Sequence, residues 1–141
     1  ELLTETILRL SRGDCPREKQ NETLMTYEPK LTRELGELDF TESTRRCLCR
    51  VRAMDPWPGA YAALADGALK VWRAAAAPDM PAAEAGVVLA ADPKRGLVIA
   101  AGDGALELTE IQAPNAKRMD ARAFLRGHAL PTGGKLNEVR L

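Results

Sequence analysis

Met54-Asp55-Pro56-Trp57-Pro58-Gly59-Ala60 divides this chain into two kinds of predicted structure. Its two prolines fix two φ angles and remove two backbone N–H donors, so neither a helix nor a central strand continues through it. Trp57 is one of only two tryptophans, and because buried tryptophans usually serve packing, we predict a ring wedged between a helix and a sheet. A ligand-stacking role for Trp57 is the alternative. We predict that Pro56, Trp57, Pro58 and Gly59 form a rigid structural corner.

The composition limits the chain to one domain with a modest core and an attached segment, because 141 residues are too few for a second complete domain. Twenty basic and twenty acidic residues leave no formal net charge, so the composition by itself does not indicate a nucleic-acid-binding protein. The charges are unevenly placed. From Ile111 onward six basic residues accompany two acidic ones, so any cationic surface must arise from this distribution.

Three cysteines and one histidine limit the metal and redox chemistry. An odd, sparse set of cysteines argues for reduced thiols and a cytoplasmic location rather than a disulfide framework. Cys47 and Cys49 are about 200° apart around a predicted helix and make a poor metal pair, and His128 alone excludes a multi-histidine site, so we predict no metal. No apolar run approaches the roughly 20 residues of a membrane span, so we predict no membrane partner.

The first residues have a helical pattern, in which Leu3, Ile7 and Leu10 recur at i, i+4 and i+7. The chain begins at Glu1, without a methionine and already inside this pattern, so we expect a fragment of a longer protein. A three-turn helix is marginal alone in water, and its expected partner is a domain upstream. The charged and polar stretch that follows has few apolar anchors and predicts a linker.

A second helix is predicted to begin at a cap provided by Asp39 or Thr41 and to end near Ala53. Its apolar stripe leaves four arginines on the remaining surface, and no acidic residue between Glu42 and Asp55 neutralises them. These arginines form either a solvated face or a face that contacts phosphates. The four are Arg45, Arg46, Arg50 and Arg52.

Short strands dominate after the corner. Asp66-Gly67 is typical of a two-residue hairpin turn, and apolar or alternating runs around this and later turns predict five strands. They cover residues 60–65, 68–74, 86–91 and 97–101, and a fifth run that contains Leu106 and Leu108. Five short strands with tight turns predict a small barrel or sandwich. Asp120 is predicted to cap a short helix that contains Phe124.

No constellation of residues indicates catalysis. The sequence contains no phosphate-binding glycine loop, zinc-ligand spacing or nucleophile elbow, and Gly102-Asp103-Gly104 is a hairpin turn because no helix follows it. Glu107 and Glu110 are expected on opposite faces of a regular strand, so they do not form an acid and base pair. We therefore predict that this chain alone is not an enzyme.

Several motifs resemble, in their order and spacing, the C-terminal region of the methionyl-tRNA formyltransferase family. They are the run ETLMTYEPKL at 22–31, the corner DPWPGA at 55–60, the strand LKVW at 69–72, and GDGAL at 102–106 followed by Ile111-Gln112. The helical segment 119–127 and Gly134-Lys135-Leu136 continue the resemblance, which covers nearly the whole chain.

The resemblance implies a fold and a domain organisation. In that family this region is an open, OB-like Greek-key β-barrel, so a mainly β fold with flanking helices is expected. Residues 1–12 would be the terminal helix of a catalytic domain, residues 13–38 an interdomain linker, and residues 39–141 a C-terminal tRNA-binding domain.

The resemblance also implies a division of labour. In the family, an Asn, His and Asp set in an N-terminal Rossmann-like domain transfers a formyl group from 10-formyltetrahydrofolate to methionyl initiator tRNA, for translation initiation. None of that domain is present and His128 matches no part of the set, so no catalytic residue and no bound cofactor are expected here. The implied task is to hold initiator tRNA, mainly by its backbone, against the N-terminal catalytic domain in cis.

The candidate RNA contacts are cations. Lys30 and Arg33 fall where the family's linker is basic, and Lys117 falls in the family's Gly-Lys-Lys loop. In that loop this chain has Asn115-Ala116 where Gly-Lys is common; asparagine tolerates the left-handed conformation, and Arg118 replaces the lost cation. The full set of candidates is Lys30, Arg33, Lys94, Arg95, Lys117, Arg118, Arg122 and Arg126.

A second hypothesis comes from a different functional class. The chain would be an accessory structural domain of a related folate-dependent formyltransferase or formyl-folate hydrolase, with no RNA role, because such relatives share this barrel type. The linker pattern Thr26-Tyr27 and Lys30-Leu31 looks like the tRNA enzyme and favours the first hypothesis.

Overall fold

The computed structural model describes residues 1–141 and divides them into two units, Glu1–Lys30 and Leu31–Leu141. The first unit contains helix α1 (Leu2–Ser11), which confirms the predicted helical pattern, and a 3₁₀ turn at Glu22–Leu24. No residue of α1 is buried. No helix in the chain is both long enough and apolar enough to cross a membrane.

The second unit is a β-sheet with short helices at its margins. Its 3₁₀ turns are Glu34–Gly36 and Leu136–Glu138, and its helices are α2 (Thr44–Ala53) and α3 (Ala121–Phe124). The strands are β1 (Ala60–Leu64), β2 (Gly67–Ala76), β3 (Val88–Asp92), β4 (Gly96–Ala101), β5 (Gly104–Gln112) and β6 (Met119–Asp120). Residues 31–38, which the sequence assigns to the linker, belong to this unit, and Leu38 is buried in its core.

The strands form one antiparallel sheet in the order β1-β2-β5-β4-β3, and the two-residue β6 pairs with β5. The order β2-β5-β4-β3 is a Greek key, because β3, β4 and β5 are consecutive hairpin strands and β2 lies beside β5 after a long connection. No ladder joins β1 to β3, so the sheet is open. The mainly β class with flanking helices is confirmed, whereas the OB-like assignment remains a prediction.

The predicted cap of α3 is confirmed, because Asp120 Oδ1 accepts the N–H of Ala123 at 2.8 Å. A two-residue hairpin turn does join β1 to β2, but its residues are Ala65-Asp66 rather than Asp66-Gly67, because Gly67 already pairs with Leu64 as the first residue of β2. Helix α2, however, begins after Ser43 rather than at Asp39 or Thr41. Asp39 Oδ1 instead accepts the N–H of Thr41 at 2.9 Å, a local turn that competes with helix initiation.

The proline corner is a tight turn closed by a hydrogen bond from the Gly59 N–H to the Met54 carbonyl at 2.8 Å. Gly59 has a φ of +83°, which favours glycine. The prediction of a buried Trp57 is wrong, because 56% of this residue is exposed. The residues of α2 that are buried against the core are instead Cys47 and Val51.

The larger of two hydrophobic clusters lies on the inner face of the sheet, beneath α2 and α3, and a smaller one comprises Ala90, Val98 and Ala105. Alternate residues of the central strands supply the fully buried side chains of the larger cluster, as the two-residue period of a strand requires. They include Leu69, Val71, Leu97, Ile99, Leu106, Leu108 and Ile111.

Gly36 is where the chain before α2 contacts the proline corner. A Cβ at this position would collide with the carbonyl oxygen of Gly59. Because the obstacle is backbone, the structure has no side chain to rotate away. The corner and the 3₁₀ turn at Glu34–Gly36 therefore have to pack without a side chain between them.

We predict that Gly36→Ala lowers the free energy of unfolding by about 1–3 kcal/mol, the usual cost of overpacking a close contact. Urea denaturation measures the effect. Gly134→Ala is the matched control, because its added Cβ meets nothing closer than a Glu138 carboxylate oxygen at 4.0 Å. Equal midpoints for the two variants would contradict the proposed close approach.

Helix α1 has ten residues and no buried side chain, and a helix this short is marginal without tertiary contacts. We predict that its amides exchange with solvent much faster than those of β4 and β5 in this chain. Native-state hydrogen exchange measures the difference. The prediction would be refuted if the amides of residues 1–30 were uniformly protected from exchange, as strongly as those of β4 and β5.

Candidate nucleic-acid interface

An irregularity in the β2 ladder places two neighbouring side chains on the outer face of the sheet. The register with β5 shifts between Val71 and Arg73 and again between Arg73 and Ala74. Val71 is buried and Ala74 packs against the same core. The two residues between them, Trp72 and Arg73, therefore both have their side chains on the outer face. A β-bulge of this kind redirects side chains that regular alternation would separate.

Strand β5 shows the same effect opposite the bulge. Leu108 and Ile111 are both fully buried, so Thr109 and Glu110 both lie between inward positions. Glu107 also precedes an inward residue and points away from the core. The prediction that Glu107 and Glu110 lie on opposite faces is therefore wrong, because the bulge adds one residue to the period-2 spacing.

Trp72 is the centre of a group of side chains on this outer face. The Arg118 guanidinium carbon lies 4.7 Å from the Trp72 ring centroid, and Lys70 Nζ lies 5.7 Å from it. Both distances are in the range of cation–π attraction. Trp72 Nε1–H donates to Gln112 Oε1 at 3.2 Å, which fixes the indole. We define the Trp72 cluster as Lys70, Trp72, Arg73, Glu110, Gln112 and Arg118.

Glu110 is the only acidic member of the Trp72 cluster. It accepts two hydrogen bonds from Arg118, from Nε at 2.5 Å and from Nη2 at 2.7 Å, and Arg73 Nε lies 3.2 Å from Oε2. The hydrogen bond from Arg118, with the nearby charges of Arg118 and Arg73, lowers the pKa of Glu110 below its ordinary value. Two arginines contact this carboxylate and Lys70 is a third cation of the cluster, so the cluster keeps a positive surplus.

Arg118 also connects the Trp72 cluster to the proline corner. The hydrogen bond with Glu110 and the charge of Asp55 both raise the pKa of Arg118. Asp55 is part of the corner that carries the exposed Trp57. The charge of Asp55 in the corner therefore acts on Arg118 in the Trp72 cluster.

The segment 113–118 holds Lys117 beside the Trp72 cluster. Gln112 Nε2 donates to the Ala116 carbonyl at 3.0 Å and fixes this segment. Asn115 has a φ of +58°, so it adopts the left-handed conformation expected from the sequence. Lys117 is exposed and forms no ion pair.

A second group of cations surrounds Glu107. Its Oε1 accepts hydrogen bonds from Arg122 at 2.8 Å and 3.2 Å. Gly96 packs against this pair, since a Cβ there would lie 2.6 Å from Glu107 Oε1 and 3.4 Å from Arg122 Nε. Lys94 and Arg95 are exposed and directly precede Gly96 in the β3–β4 turn, and Gly96 itself lies against Arg122.

The β3–β4 turn is held by Asp92, whose Oδ1 accepts the N–H groups of Lys94 and Arg95, each at 2.9 Å. These hydrogen bonds lower the pKa of Asp92, and the cationic side chains of the turn contribute to the shift. The Lys94 and Arg95 side chains form no ion pair in the chain. They are therefore available to an external anion.

The remaining candidates are not part of either group. Arg33 precedes the 3₁₀ turn at Glu34–Gly36, and Arg126 is exposed just after α3. Lys30 is the last residue of the first unit. Their roles, like those of the other candidate cations, remain predictions.

The sequence matches the family described as "Formyl transferase, C-terminal domain" over residues 30–129. The chain belongs to this family. It is 39% identical to the methionyl-tRNA formyltransferase of Symbiobacterium thermophilum, over 97% of this chain and 42% of that protein, and 41% identical to that of a Janthinobacterium species, over 92% and 41%. The chain thus spans about two fifths of the length of these curated relatives and corresponds to their C-terminal part.

Solved structures similar to this formyl transferase C-terminal domain include HypX from Aquifex aeolicus. One HypX variant superposes with a TM-score of 0.58 at 23% identity, covering 89% of this chain and 23% of HypX. HypX in complex with tetrahydrofolic acid gives a TM-score of 0.56 at 21% identity, covering 87% and 22%. At this level of identity the likeness concerns the fold.

The arginines of α2 in this formyl transferase C-terminal domain serve different purposes. Arg50 donates to the Glu37 carbonyl at 3.1 Å and pairs with Glu42 at 3.1 Å, so it ties α2 to the chain before it. Arg46 lies 3.5 Å from the same carboxylate, and Arg45 is exposed. The set is thus neither purely solvated nor purely available to phosphate, because Arg50 is structural.

Lys70, Trp72 and Arg73 were not among the candidate contacts chosen from the sequence. The alternation of strand β2 does place Lys70 and Trp72 on one face, which is a usable signal. No such signal exists for Arg73, because its position depends on a bulge that the residue pattern does not reveal. The acidic partner Glu110 was missed for the same reason.

We predict that Glu110→Gln reduces the acid sensitivity of folding. A carboxylate whose pKa is lowered by folding contributes stability that is present above the unfolded value, about 4.3, and is lost as the pH falls through the lower folded value. Thermal midpoints measured from pH 6 to pH 2.5 should fall less steeply in the variant. Glu28→Gln is the control, because Glu28 is exposed and unpaired. Identical pH profiles for Glu110→Gln and the parent chain would contradict the assignment.

Proposed function

We propose that this chain is the tRNA-binding and tRNA-positioning domain of a methionyl-tRNA formyltransferase that acts in the cytoplasm. The whole enzyme would formylate methionyl initiator tRNA with 10-formyltetrahydrofolate for translation initiation. Membership of the formyl transferase C-terminal domain family and the similarity to methionyl-tRNA formyltransferases support this proposal. Catalysis and folate binding would lie in the part of the enzyme that precedes this domain.

The single observation that carries the RNA role is the Trp72 cluster with Lys117 beside it. Arg118 is held between the Trp72 ring and Glu110, so its guanidinium loses little rotamer freedom when a phosphate approaches. Arg73 keeps 74% of its side chain exposed although it lies near Glu110. Fixed and exposed cations on one face are suited to phosphate oxygens, whose contacts position a nucleic acid without reading its sequence.

The second group of cations would extend this surface across the sheet. Lys94, Arg95 and Arg122 lie around the β3–β4 turn, and Arg122 shares its charge with Glu107. With Arg126 after α3, these residues give the backbone-binding surface its proposed extent. Lys30 would contribute from the end of the proposed linker and Arg33 from the beginning of the second unit.

The proposed cis partner of the first unit is the catalytic domain. Leu3, Ile7 and Leu10 of α1 are 72%, 56% and 59% exposed, respectively. Their i, i+4, i+7 spacing forms one apolar stripe, and such a stripe on a short helix is normally covered by another element. We propose that residues 1–12 complete the catalytic domain in this way.

A structural role without RNA is the second candidate function. The absence of formal net charge favours it, and so does the pairing of Arg118 and Arg122 with carboxylates. In this case the domain would serve a related folate-dependent formyltransferase or formyl-folate hydrolase. Binding measurements separate the two candidates.

We predict that the chain binds initiator tRNA, an elongator tRNA and a plain RNA hairpin with similar affinity, and that binding weakens as salt increases. Lys117→Ala should weaken binding to all three RNAs alike and lower the slope of log K against log salt by about 0.7–0.9, because one phosphate contact is lost. Filter binding or fluorescence anisotropy across a salt series gives both quantities.

Lys135→Ala is the matched control for this experiment. It removes the same charge, but Lys135 pairs with Glu84 at 2.5 Å and is not one of the candidate contacts. If Lys117→Ala and Lys135→Ala have the same effect, Lys117 beside the Trp72 cluster is not a phosphate contact. If the parent chain binds no RNA even at low salt, the structural role replaces the RNA role.

A further inference from the structure

A surface cavity of about 340 Å³ lies beside the segment that carries Lys117 and is not part of either cationic group. Its wall includes the 113–116 segment and the side of α3 nearest His128. Asp66, from the β1–β2 turn, lies at its rim. The full lining is Asp66, Ala113, Pro114, Asn115, Ala116, Met119, Phe124, His128 and Leu141.

The imidazole of His128 forms a flat aromatic surface in this cavity. It stacks on the Phe124 ring with a centroid separation of 4.1 Å and an interplanar angle of 3°. Phe124 is buried and covers one face of the imidazole, whereas His128 is exposed. The accessible surface of His128 is therefore its opposite face and its outer edge.

The His128 ring is also fixed in orientation. Nδ1 lies 3.1 Å from the Phe124 carbonyl oxygen, which can only accept, so Nδ1 carries the hydrogen. Nε2 is left free at the outer edge. A stacked ring held by a second contact is a rigid platform, which costs little entropy to present to a ligand.

Two polar side chains of the lining have no partner within the chain. Asp66 forms no ion pair, and neither its carboxylate nor the carboxamide of Asn115 makes a side-chain hydrogen bond. Asn115 is held in the left-handed conformation by its segment. The cavity thus combines a planar apolar surface with unpaired hydrogen-bonding groups.

Lys117 lies two residues after Asn115 and has no acidic partner. A planar ring in the cavity that is attached to a phosphate would place that phosphate within reach of this cation. Planar heteroaromatic rings with edge donors and acceptors and an attached phosphate are nucleotides. Proteins bind unpaired RNA bases through this combination of aromatic stacking and edge hydrogen bonds.

We infer that this cavity binds one unstacked base of an RNA strand on the His128 ring, with the base's exocyclic amino group directed to Asp66. Because a carboxylate only accepts hydrogen bonds, adenine, cytosine and guanine, which all carry an exocyclic amino group, are preferred over uracil, which carries none. The inference rests on the proposed RNA-binding function and adds a base contact to what is otherwise a backbone-binding surface.

The test uses the full chain with three single-stranded probes of equal length, oligoadenylate, oligocytidylate and oligouridylate, and a blunt RNA duplex with the same number of phosphates. His128→Ala should weaken binding to oligoadenylate about tenfold, the usual loss when a stacking ring is removed. Binding to the duplex should not change, because a duplex presents no unstacked base. A substitution that weakened RNA binding through electrostatics rather than through stacking would instead lower the affinity for all four probes.

His128→Phe and Asn115→Gly keep the experiment informative if His128→Ala is less stable. Phenylalanine retains the stacking surface and should retain oligoadenylate binding within about twofold. Glycine tolerates the left-handed conformation of residue 115, so Asn115→Gly removes the carboxamide and should weaken single-strand binding without unfolding the segment. Asp66→Asn keeps the hairpin turn and should reduce the preference for oligoadenylate over oligouridylate.

The outcomes separate this inference from the proposed function. If the parent chain binds tRNA and the duplex but His128→Ala and Asn115→Gly leave every affinity unchanged, the base site is refuted and the backbone-binding role stands. Equal loss on duplex and single strands also refutes it. If the parent chain binds no RNA, both fail together.

Discussion

The pairing of β2 with β5 is the constraint on which the rest of the second unit depends. This ladder joins the β1–β2 hairpin to the β3–β5 meander, so without it the sheet would separate into two small pieces. Leu69 and Val71 from one strand and Leu108 and Ile111 from the other are fully buried. The apolar side chains of both strands leave water only when the two strands are paired, which makes this ladder the main hydrophobic seam of the fold.

The same ladder determines the outer surface. Its bulge turns Trp72 and Arg73 outward together, and Glu110 lies directly opposite Arg73. Trp72 and Glu110 then hold Arg118, which follows the Asn115 turn. The carboxylate lowers the cost of keeping several cations close together, while the exposed part of each cation remains available. A surface with local positive charge thus forms on a chain without net charge.

Lys70, Trp72 and Glu110 also show how the proposed binding surface and the core share the same strands. Each outward residue of β2 or β5 has an inward neighbour in the core, so the orientation of the surface group follows from core packing. The cavity at His128 depends on the core in the same way, because Phe124 buries one ring face and leaves the other accessible. Substitutions at such buried positions would therefore change the orientation of the surface side chains, although no surface residue is replaced.

The sequence by itself determined the local features. Proline chemistry determined the corner, Asp66-Gly67 the presence of a hairpin turn although it lies one residue earlier, Asp120 the cap of α3, and the resemblance of several motifs determined the family, since each depends on a few neighbouring residues. Tertiary structure alone decided that Trp57 is exposed, that α2 begins after Ser43, and that Arg73, Glu110 and Arg118 meet. These outcomes depend on which side chain fills the space under α2 and on a register shift between two distant strands. Neither is encoded in local periodicity. A bulge moves the side chains that follow it to the opposite face of the sheet, and the residue pattern of the two strands does not mark where this happens.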